Sequence, residues 1–526
     1  MAQLSLLFLV LLASVVTMPL ARRIHVPQPV LMTLLGLAMA LVPQIPNVRV
    51  DPDFILPLVL PPLIFAVARR SSVRYFRANV RPILLLAVAL VAVTTTVVAA
   101  VFQWRVPGLP LAAAVALGAL VSPPDPVAAV AVAGSIGLPR RLVAVLEGEG
   151  LFNDVTAIVI YSLAIEAVVS GHFSGADAAL RLVLSAVVAV VLGIALGWLN
   201  TWLAGRLDDP TQQVALNLLV PFAAYTLAEE AHGSGVLAVV VCALYLADRA
   251  ADADDVSFRL VGNAFWEIVE ILITGVAFGL IGLELSTVLA DVRSSWHGML
   301  GDTAWVIAAV VLVRLLWLLP AAWISERLTH GEEDTPISWR ETVVLWWSGM
   351  RGVATVALAL AVPLTVHGGG AFPARSEIVF VAFCVVLFTL LVQGLSLPWL
   401  VRLLALRDHP DVHDEALRVL RWRAAKAGLR RLEELEEERR LPVELVDRLR
   451  ERQHDRLARL YPERYEEDEA AEAKRRLARW RQAAEVEQEM IAASRREVLT
   501  ARGEPGSDPG MADRVLRELD LRSARK

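Results

Sequence analysis

Long apolar runs separated by short polar breaks fill the chain to about residue 405, after which the pattern changes abruptly. About thirteen apolar segments can be read, at 4–20, 30–46, 54–68, 82–103, 111–135, 143–168, 181–204, 213–229, 234–247, 264–288, 303–325, 342–365 and 377–404. Several approach the roughly 20 residues that a helix needs to cross the hydrocarbon core of a bilayer. The segments at 54–68 and 234–247 are short, so their edges are the least defined. No segment shows the alternating apolar and polar positions of a membrane β-strand. The expected class is an all-α integral membrane protein with about thirteen transmembrane helices.

The polar breaks orient the spans. Arg22 and Arg23 lie in the first, Arg69, Arg70, Arg74, Arg77 and Arg81 in the third, and Arg140 and Arg141 near 136–142. The alternate breaks near 47–53, 104–110, 169–180 and 366–376 carry at most one arginine each. Arginine-rich loops stay on the cytoplasmic side. The N-terminus is therefore expected outside, and an odd number of spans places the C-terminal tail in the cytoplasm. The first twenty residues lack a basic start and an obvious small-residue cleavage site, which suits an uncleaved first helix.

Residues 1–405 read as one membrane domain and 406–526 as a charged helical tail. "EALRVLRWRAAKAGLRRLEELEEERR" places Leu417, Val419, Leu420, Leu429 and Leu432 in a partly amphipathic pattern. "LPVELVDRLRERQHDRLARLY" and "KRRLARWRQAAEVEQEM" read as further helices, and "GEPGSDPG" at 503–510 as a linker. Acidic residues balance the basic ones in the tail and no recognition motif occurs, so no nucleic-acid partner is expected.

Composition agrees with this division. The 526 residues are 56% hydrophobic and only 20% charged, with a mean hydropathy of +0.55. The net charge of −5 sums two unlike halves. Cys242 and Cys384 sit in separate apolar runs and form no CxxC spacing. No nucleotide-binding loop is present and no cofactor or enzymatic activity is expected.

Charge placed inside apolar segments is the informative exception. "EGEGLFNDVTAIVIY" (147–161) carries Glu147, Glu149, Asn153 and Asp154 at the head of an apolar run. A carboxylate at the centre of a spanning helix costs roughly 2.5–3.5 kcal/mol on insertion scales, and such residues usually handle ions or protons. On a helix Glu149 and Asn153 share a face, about 40° apart, whereas Asp154 lies about 140° from Glu149. Glu149 and Asp154 therefore address different neighbours. One suits a structural ion pair and the other a cavity. Arg314, in "VVLVRLLWLLP", lies too deep to reach water and needs an internal anion, for which Glu149 is the candidate.

Two further stretches break the helical pattern. In "GALVSPPDPVAAVAV" (118–132), Pro123, Pro124 and Pro126 lack the N–H groups that would bond the carbonyls of Ala119, Leu120 and Ser122. Irregular backbone at membrane depth is tolerated only inside protein or along a watery cavity. Free carbonyls beside Asp125 are suited to a small cation. In "WWSGMRGVATVALALAVP" (346–363), Gly349 and Gly352 flank Arg351, which marks a second broken helix in the other half of the chain.

"EGEGLFND", "SPPDPVAAVAV", "LPPLIF" (60–65), "LIGLEL" (280–285) and "GMRGVATVALALAVP" together resemble the sodium/proton exchanger family of monovalent cation:proton antiporters, in its bacterial branch. The resemblance covers nearly all of residues 1–405, with the motifs in the family's order. It implies thirteen spans with inverted repeats and two broken, crossing helices, a homodimer, and a core domain that moves against a dimer domain in the plasma membrane. By motif, Asp154 is the cation- and proton-binding carboxylate and Asn153 its neighbour in the family's Asn-Asp pair. Asp125 sits at the helix crossing, Glu149 pairs with Arg314, and Arg351 occupies the second broken helix. The metal is then the transported monovalent cation itself, held by Asp154 and Asp125. The Asn-Asp pair implies electroneutral exchange, serving pH and sodium homeostasis.

Three departures bear on the cation. Pro124, Gly150 and Ala66 stand where family members often carry Thr, Ser and Glu. Each removes a side-chain oxygen, so the choice among sodium, lithium and potassium stays open. The expected mechanism is competition: a proton or a cation neutralises Asp154, but not both together. Opposed gradients then drive exchange without ATP. A tail-gated cation channel is the alternative, and a membrane-anchored sensor a third reading that gives the buried charges no use.

Overall fold

In the computed structural model the described residues are 2–24, 26–42, 52–69, 85–125, 129, 138, 140–171, 175–251, 256–291, 296–328, 338–367, 369–406, 410–439, 441–461, 467–502 and 509–524. They are helical almost throughout. One isolated bridge between Thr365 and Ala371 is the sole β pairing among them. They divide into two compact units, Met1–Asp408 and His409–Lys526.

The first unit contains α1 (Ala2–Ile24), α2 (Gln28–Ala40), α3 (Pro52–Ala68), α4 (Leu85–Arg105), α5 (Leu111–Val121), α6 (Arg140–Ser170), α7 (Gly175–Ala204), α8 (Pro210–Glu230), α9 (Gly235–Ala251), α10 (Val256–Asp291), α11 (Trp296–Leu328), α12 (Trp339–Trp347), α13 (Val353–Leu360) and α14 (Arg375–Leu403). Six of these, α4, α6, α7, α10, α11 and α14, are long and apolar enough to cross a membrane among the described residues. Along α7 an outward stripe of Leu184, Val187, Val191, Ile194 and Trp198 is exposed, as befits a lipid-facing surface.

Two of the apolar segments do not continue as single helices. The segment at 111–135 stops being helical at Val121, where Pro123 and Pro124 withdraw their N–H groups. The segment at 342–365 divides into α12 and α13 around 348–352. A capping box starts α12. Ser338 Oγ accepts from the Glu341 N–H (3.3 Å), and Glu341 Oε2 accepts from the Ser338 N–H (2.7 Å). α4 opens with a π turn at Leu85–Ala89, and α14 contains one at Thr389–Gln393.

The interior is built where small residues let helices approach. α5 packs between α4 and α6, with Leu117, Leu120 and Val121 buried against Val98 and Phe102 of α4 and against Val310, Leu358 and Val385. α3 brings Phe65 onto Trp266, ring centroids 4.8 Å apart, in a cluster with Ala224, Ala238 and Cys242. α2 lies along α10 with almost no gap. A Cβ added at Gly282 would sit 2.6 Å from the Leu37 amide nitrogen and closer still to the Thr33 carbonyl oxygen. In a bilayer, where apolar burial gives helices little reason to associate, such close backbone contact supplies much of the attraction.

The second unit contains α15 (Pro410–Arg439), α16 (Val443–Leu460), α17 (Glu467–Arg502) and α18 (Pro509–Ala524). Its small core gathers Ala425, Leu432, Val446, Leu457 and Tyr461. Trp422 meets Tyr461 edge to face at 6.2 Å, and Arg418 lies 4.5 Å over the same ring. Buried Asp455 pairs with Arg476 at 2.9 Å. Leu420, read from the sequence as part of the apolar face, is instead 62% exposed. It lies about 120° around the helix from the buried Leu432, so one face cannot bury both. Residues 503–508 of the "GEPGSDPG" linker lie outside the described residues, as do Arg70, Arg74, Arg77 and Arg81.

The α2–α10 contact generates a packing prediction. Gly282→Val should lower the melting temperature of the detergent-solubilised protein, since overpacking typically costs about 1–3 kcal/mol. Gly262→Ala has only an ordinary contact, at 3.7 Å to Val214, and should leave melting unchanged. Equal melting of the two variants would mean that the close approach does not hold these helices together.

Candidate functional site

The two helix breaks meet. The Asp125 N–H donates to the Met350 carbonyl at 2.6 Å, and the Val353 N–H donates to Asp125 Oδ2 at 3.3 Å. Gly352 lies so close to the Asp125 carboxylate that any Cβ there would overlap it. Arg351 is buried between the same two segments. Its Nε donates to the Val121 carbonyl at 2.9 Å, its Nη2 to the Ser122 carbonyl at 3.0 Å, and its Nη1 to the Gly349 carbonyl.

This arrangement follows from the electrostatics of helix ends. α5 terminates with unpaired carbonyls and partial negative charge, whereas α13 begins with unpaired N–H groups and partial positive charge. Arg351 from the second break satisfies the first end, and Asp125 from the first break satisfies the second. Two of the three carbonyls freed by proline are therefore occupied rather than vacant. Ser122 accepts from Arg351, and Ala119 accepts from the Ser122 N–H at 3.4 Å.

α6 passes beside the crossing with its polar residues divided. Glu149 is 1% exposed and Arg314 3%. Arg314 Nη1 donates to Glu149 Oε1, and Nη2 donates to Oε2 at 2.8 Å. Arg314 Nε and Nη2 also donate to the Leu345 carbonyl at 3.2 and 3.1 Å. A Cβ at Gly349 would sit 2.7 Å from Arg314 Cδ, so the glycine leaves room for this side chain. One turn along α6, Asn153 is buried and its Nδ2 donates to the Pro124 carbonyl at 2.9 Å, which ties α6 to the first break. Asn153 Oδ1 has no hydrogen-bond partner among the described residues.

Asp154 turns elsewhere. It opens on a cavity of about 30 Å³ together with Asp125, Gly150, Pro123 and Gly352–Thr355, and α3 closes the cavity with Leu60, Leu63, Ile64 and Val67. That space accommodates a water or a bare monovalent cation. Among the described residues no donor or cation pairs with Asp154. Pro126 lies outside the described residues. Among them no group of three or more His, Cys, Asp and Glu is disposed to hold a resident metal.

Of the three departures noted in the sequence, Gly150 lines the cavity directly, whereas Pro124 contributes a carbonyl that Asn153 occupies. Ala66 is fully buried in the Phe65–Trp266 cluster, and the cavity wall of α3 is formed by its neighbours. Thr389 is a site residue that the sequence reading passed over. Its hydroxyl, on the π turn of α14, accepts the Arg351 N–H at 3.0 Å. The available signal was a lone hydroxyl within the apolar run "FCVVLFTLLVQG".

The buried pair can be tested by a double-mutant cycle. Removing one partner strands the other charge, at roughly 3–5 kcal/mol. Glu149→Gln and Arg314→Met should each lower the melting temperature, and the double variant should recover part of the loss. Strictly additive losses would show that the two side chains do not interact.

The family described as "Sodium/hydrogen exchanger, transmembrane" matches residues 10–403. A protein of Mycobacterium bovis, the uncharacterized Na(+)/H(+) exchanger Mb2309, is 35% identical over 453 residues, covering 84% of this chain and 82% of its own length. The Na(+)/H(+) antiporter ApNhaP of Aphanothece halophytica is 33% identical over 386 residues, covering 73% of this chain and 70% of its own. The sodium proton antiporter MjNhaP1 of Methanocaldococcus jannaschii shares the fold, with a TM-score of 0.60 at 20% identity over 77% of this chain and 99% of that one. On the extent of these matches, the chain belongs to the sodium/hydrogen exchanger family, a family of membrane-spanning transporters rather than enzymes.

Proposed function

We propose that this chain is a secondary antiporter that exchanges sodium for protons across the plasma membrane, one for one. The observation that carries this reading is Asp154, a carboxylate without a partner among the described residues, on a cavity of about 30 Å³ at the helix crossing. Every other charge nearby is already engaged. Arg314 holds Glu149, the α5 carbonyls hold Arg351, and the α13 N-terminus holds Asp125. What remains is one acid that a proton or a bare cation can neutralise. Asn153 cannot ionise, so a single negative charge is exchanged between the two ligands and transport is electroneutral.

Asp154, Asp125 and the backbone around them bind the cation in this proposal, and Asn153 fixes α6 against the first break. With Gly150 supplying no side-chain oxygen, the site discriminates weakly, and lithium and potassium are further candidate substrates. Thirteen spans, an external N-terminus, a cytoplasmic tail from about residue 406 and a homodimeric assembly complete the proposal, with pH and sodium homeostasis as its physiological use. The channel reading has no support in a family of exchangers.

Two measurements follow. Asp154→Asn keeps the side-chain shape but cannot ionise, so sodium-triggered proton movement in proteoliposomes should fall to background while the protein still folds. Asp154→Glu retains the acid and should give weak exchange with an altered apparent sodium affinity. Wild-type exchange by folded Asp154→Asn would overturn the mechanism. For the orientation, a cysteine at Ser494 in a variant lacking Cys242 and Cys384 should resist an impermeant thiol reagent on intact cells and react after permeabilisation. Ready labelling of intact cells would place the tail outside.

A further inference from the structure

α13 holds a single polar side chain, Thr355, in the run "VATVALAL". Thr355 is 1% exposed. A hydroxyl inside a helix commonly folds back on the carbonyl four residues earlier. Thr33 does so on Pro29 at 2.9 Å, Thr96 on Ala92 at 2.8 Å and Thr201 on Gly197 at 2.9 Å. Thr355 has no helical carbonyl to use in this way. α13 begins at Val353, so the residue four places back is Arg351, in the break. Among the described residues the Thr355 hydroxyl makes no hydrogen bond. It is not sealed in the packing either, because Thr355 lines the cavity beside Asp154.

The chemistry of the cavity gives this hydroxyl a use. The wall from α3 is apolar, and Pro123, Gly150 and Gly352 bring no side-chain oxygen. Apart from the carboxylates of Asp154 and Asp125, Thr355 carries the one side-chain oxygen among the lining residues. Asp125 is already drawn on by the Val353 N–H. The two competing substrates make different demands on this set. A proton needs one oxygen, because it forms a covalent O–H bond on Asp154. A bare cation has shed its water and needs several oxygens at once to replace that shell. A neutral hydroxyl can supply one of them through a lone pair, with its proton turned away. Attraction falls with distance, so the loss of one fixed oxygen costs the small ions lithium and sodium more than potassium.

We propose that the Thr355 hydroxyl is a ligand of the transported cation that the proton does without, and that it biases the site towards sodium and lithium over potassium. This role rests on the cavity at Asp154 being the cation site, as proposed above. Sodium binding to the solubilised protein can be measured without exchange, so the ligand role and the exchange fail separately.

The test compares full-length variants. Thr355→Val keeps the shape and removes the oxygen, with Thr355→Ala as a second oxygen-free variant should Val fail to fold. Thr355→Ser keeps the oxygen, and Thr96→Val removes a hydroxyl that is engaged elsewhere. In proteoliposomes, Thr355→Val should raise the half-saturating concentrations of sodium and lithium several-fold and that of potassium distinctly less. At fixed sodium its exchange should set in at a higher pH, because a weaker cation displaces the proton only where protons are scarcer. Thr355→Ser and Thr96→Val should both stay near the wild type. In detergent, sodium should raise the melting temperature of the wild type. Thr355→Val should need several-fold more sodium for the same rise, and should melt no lower without sodium, since no hydrogen bond is lost. Wild-type sodium affinity in the oxygen-free variants, equal losses for all three cations, or a Thr355→Ser variant as weak as Thr355→Val would overturn the ligand role. Sodium stabilisation that depends on Thr355 in a protein that exchanges nothing would sink the antiporter reading and leave the ligand role standing. A wild type that sodium neither stabilises nor drives would sink both.

Discussion

Two helices interrupted at membrane depth leave peptide groups that neither water nor lipid can satisfy, and each such group costs several kcal/mol. Cross-compensation at the crossing meets this constraint, and the surrounding architecture serves it. Arg351 closes the carbonyl end of α5, and Asp125 meets the N-terminus of α13. Neither break is satisfied wholly from within its own helix, so each draws on the other. The glycines follow from the same geometry. A side chain at position 352 would overlap the Asp125 carboxylate, and one at 349 would crowd Arg314. The π turn in α14 places the Thr389 hydroxyl to accept the backbone N–H of Arg351. A π turn often marks a functional position in this way.

With the crossing neutralised internally, α6 can carry two acids for two purposes. Glu149 is held by both terminal nitrogens of Arg314, and that guanidinium also reaches the end of α12 through the Leu345 carbonyl. The pair therefore ties α6, α11 and α12 together. Five residues further on, Asp154 falls on another face and meets the cavity rather than a cation. The helical period separates them: a four-residue spacing would have aligned both acids, and a five-residue spacing does not. Asn153 lies between them and fastens the same helix to the first break through the Pro124 carbonyl.

How much of this was legible beforehand depends on the range of each interaction. The positions of the breaks follow from covalent geometry, because Pro123 and Pro124 have no N–H and Gly349 and Gly352 have no Cβ. The pairing of Glu149 with Arg314 could be named because an arginine so deep in an apolar helix requires an anion, and few were available. The occupants of the freed carbonyls were not legible. Arg351 lies more than two hundred residues from Ser122, and nothing local says that its guanidinium reaches α5. The apolar wall supplied by α3 was hidden for the same reason, since Leu63 and Val67 look like any lipid-facing or core residue until the helix is docked. Ala66 illustrates the limit of motif reading: its position in the family pattern suggests a lost ligand, yet its side chain belongs to the Phe65–Trp266 cluster. Leu420 failed for a different reason, because a loosely amphipathic pattern does not say where the buried arc ends.

The size of the cavity bears on why exchange, rather than conduction, suits such a site. A space of about 30 Å³ takes an ion only after it has shed most of its water. Dehydration is compensated only where oxygen ligands and negative charge are already in place, and Asp154 supplies that charge. When neither proton nor cation is bound, Asp154 remains an uncompensated carboxylate beside Asp125, against the apolar wall of α3. On the proposed mechanism, moving that charge across the low-dielectric interior is disfavoured, whereas the neutralised site is free to cross. Coupling then requires no separate gate for the two substrates. A single acid that must be neutral in order to move makes the return of the site conditional on the opposite ligand.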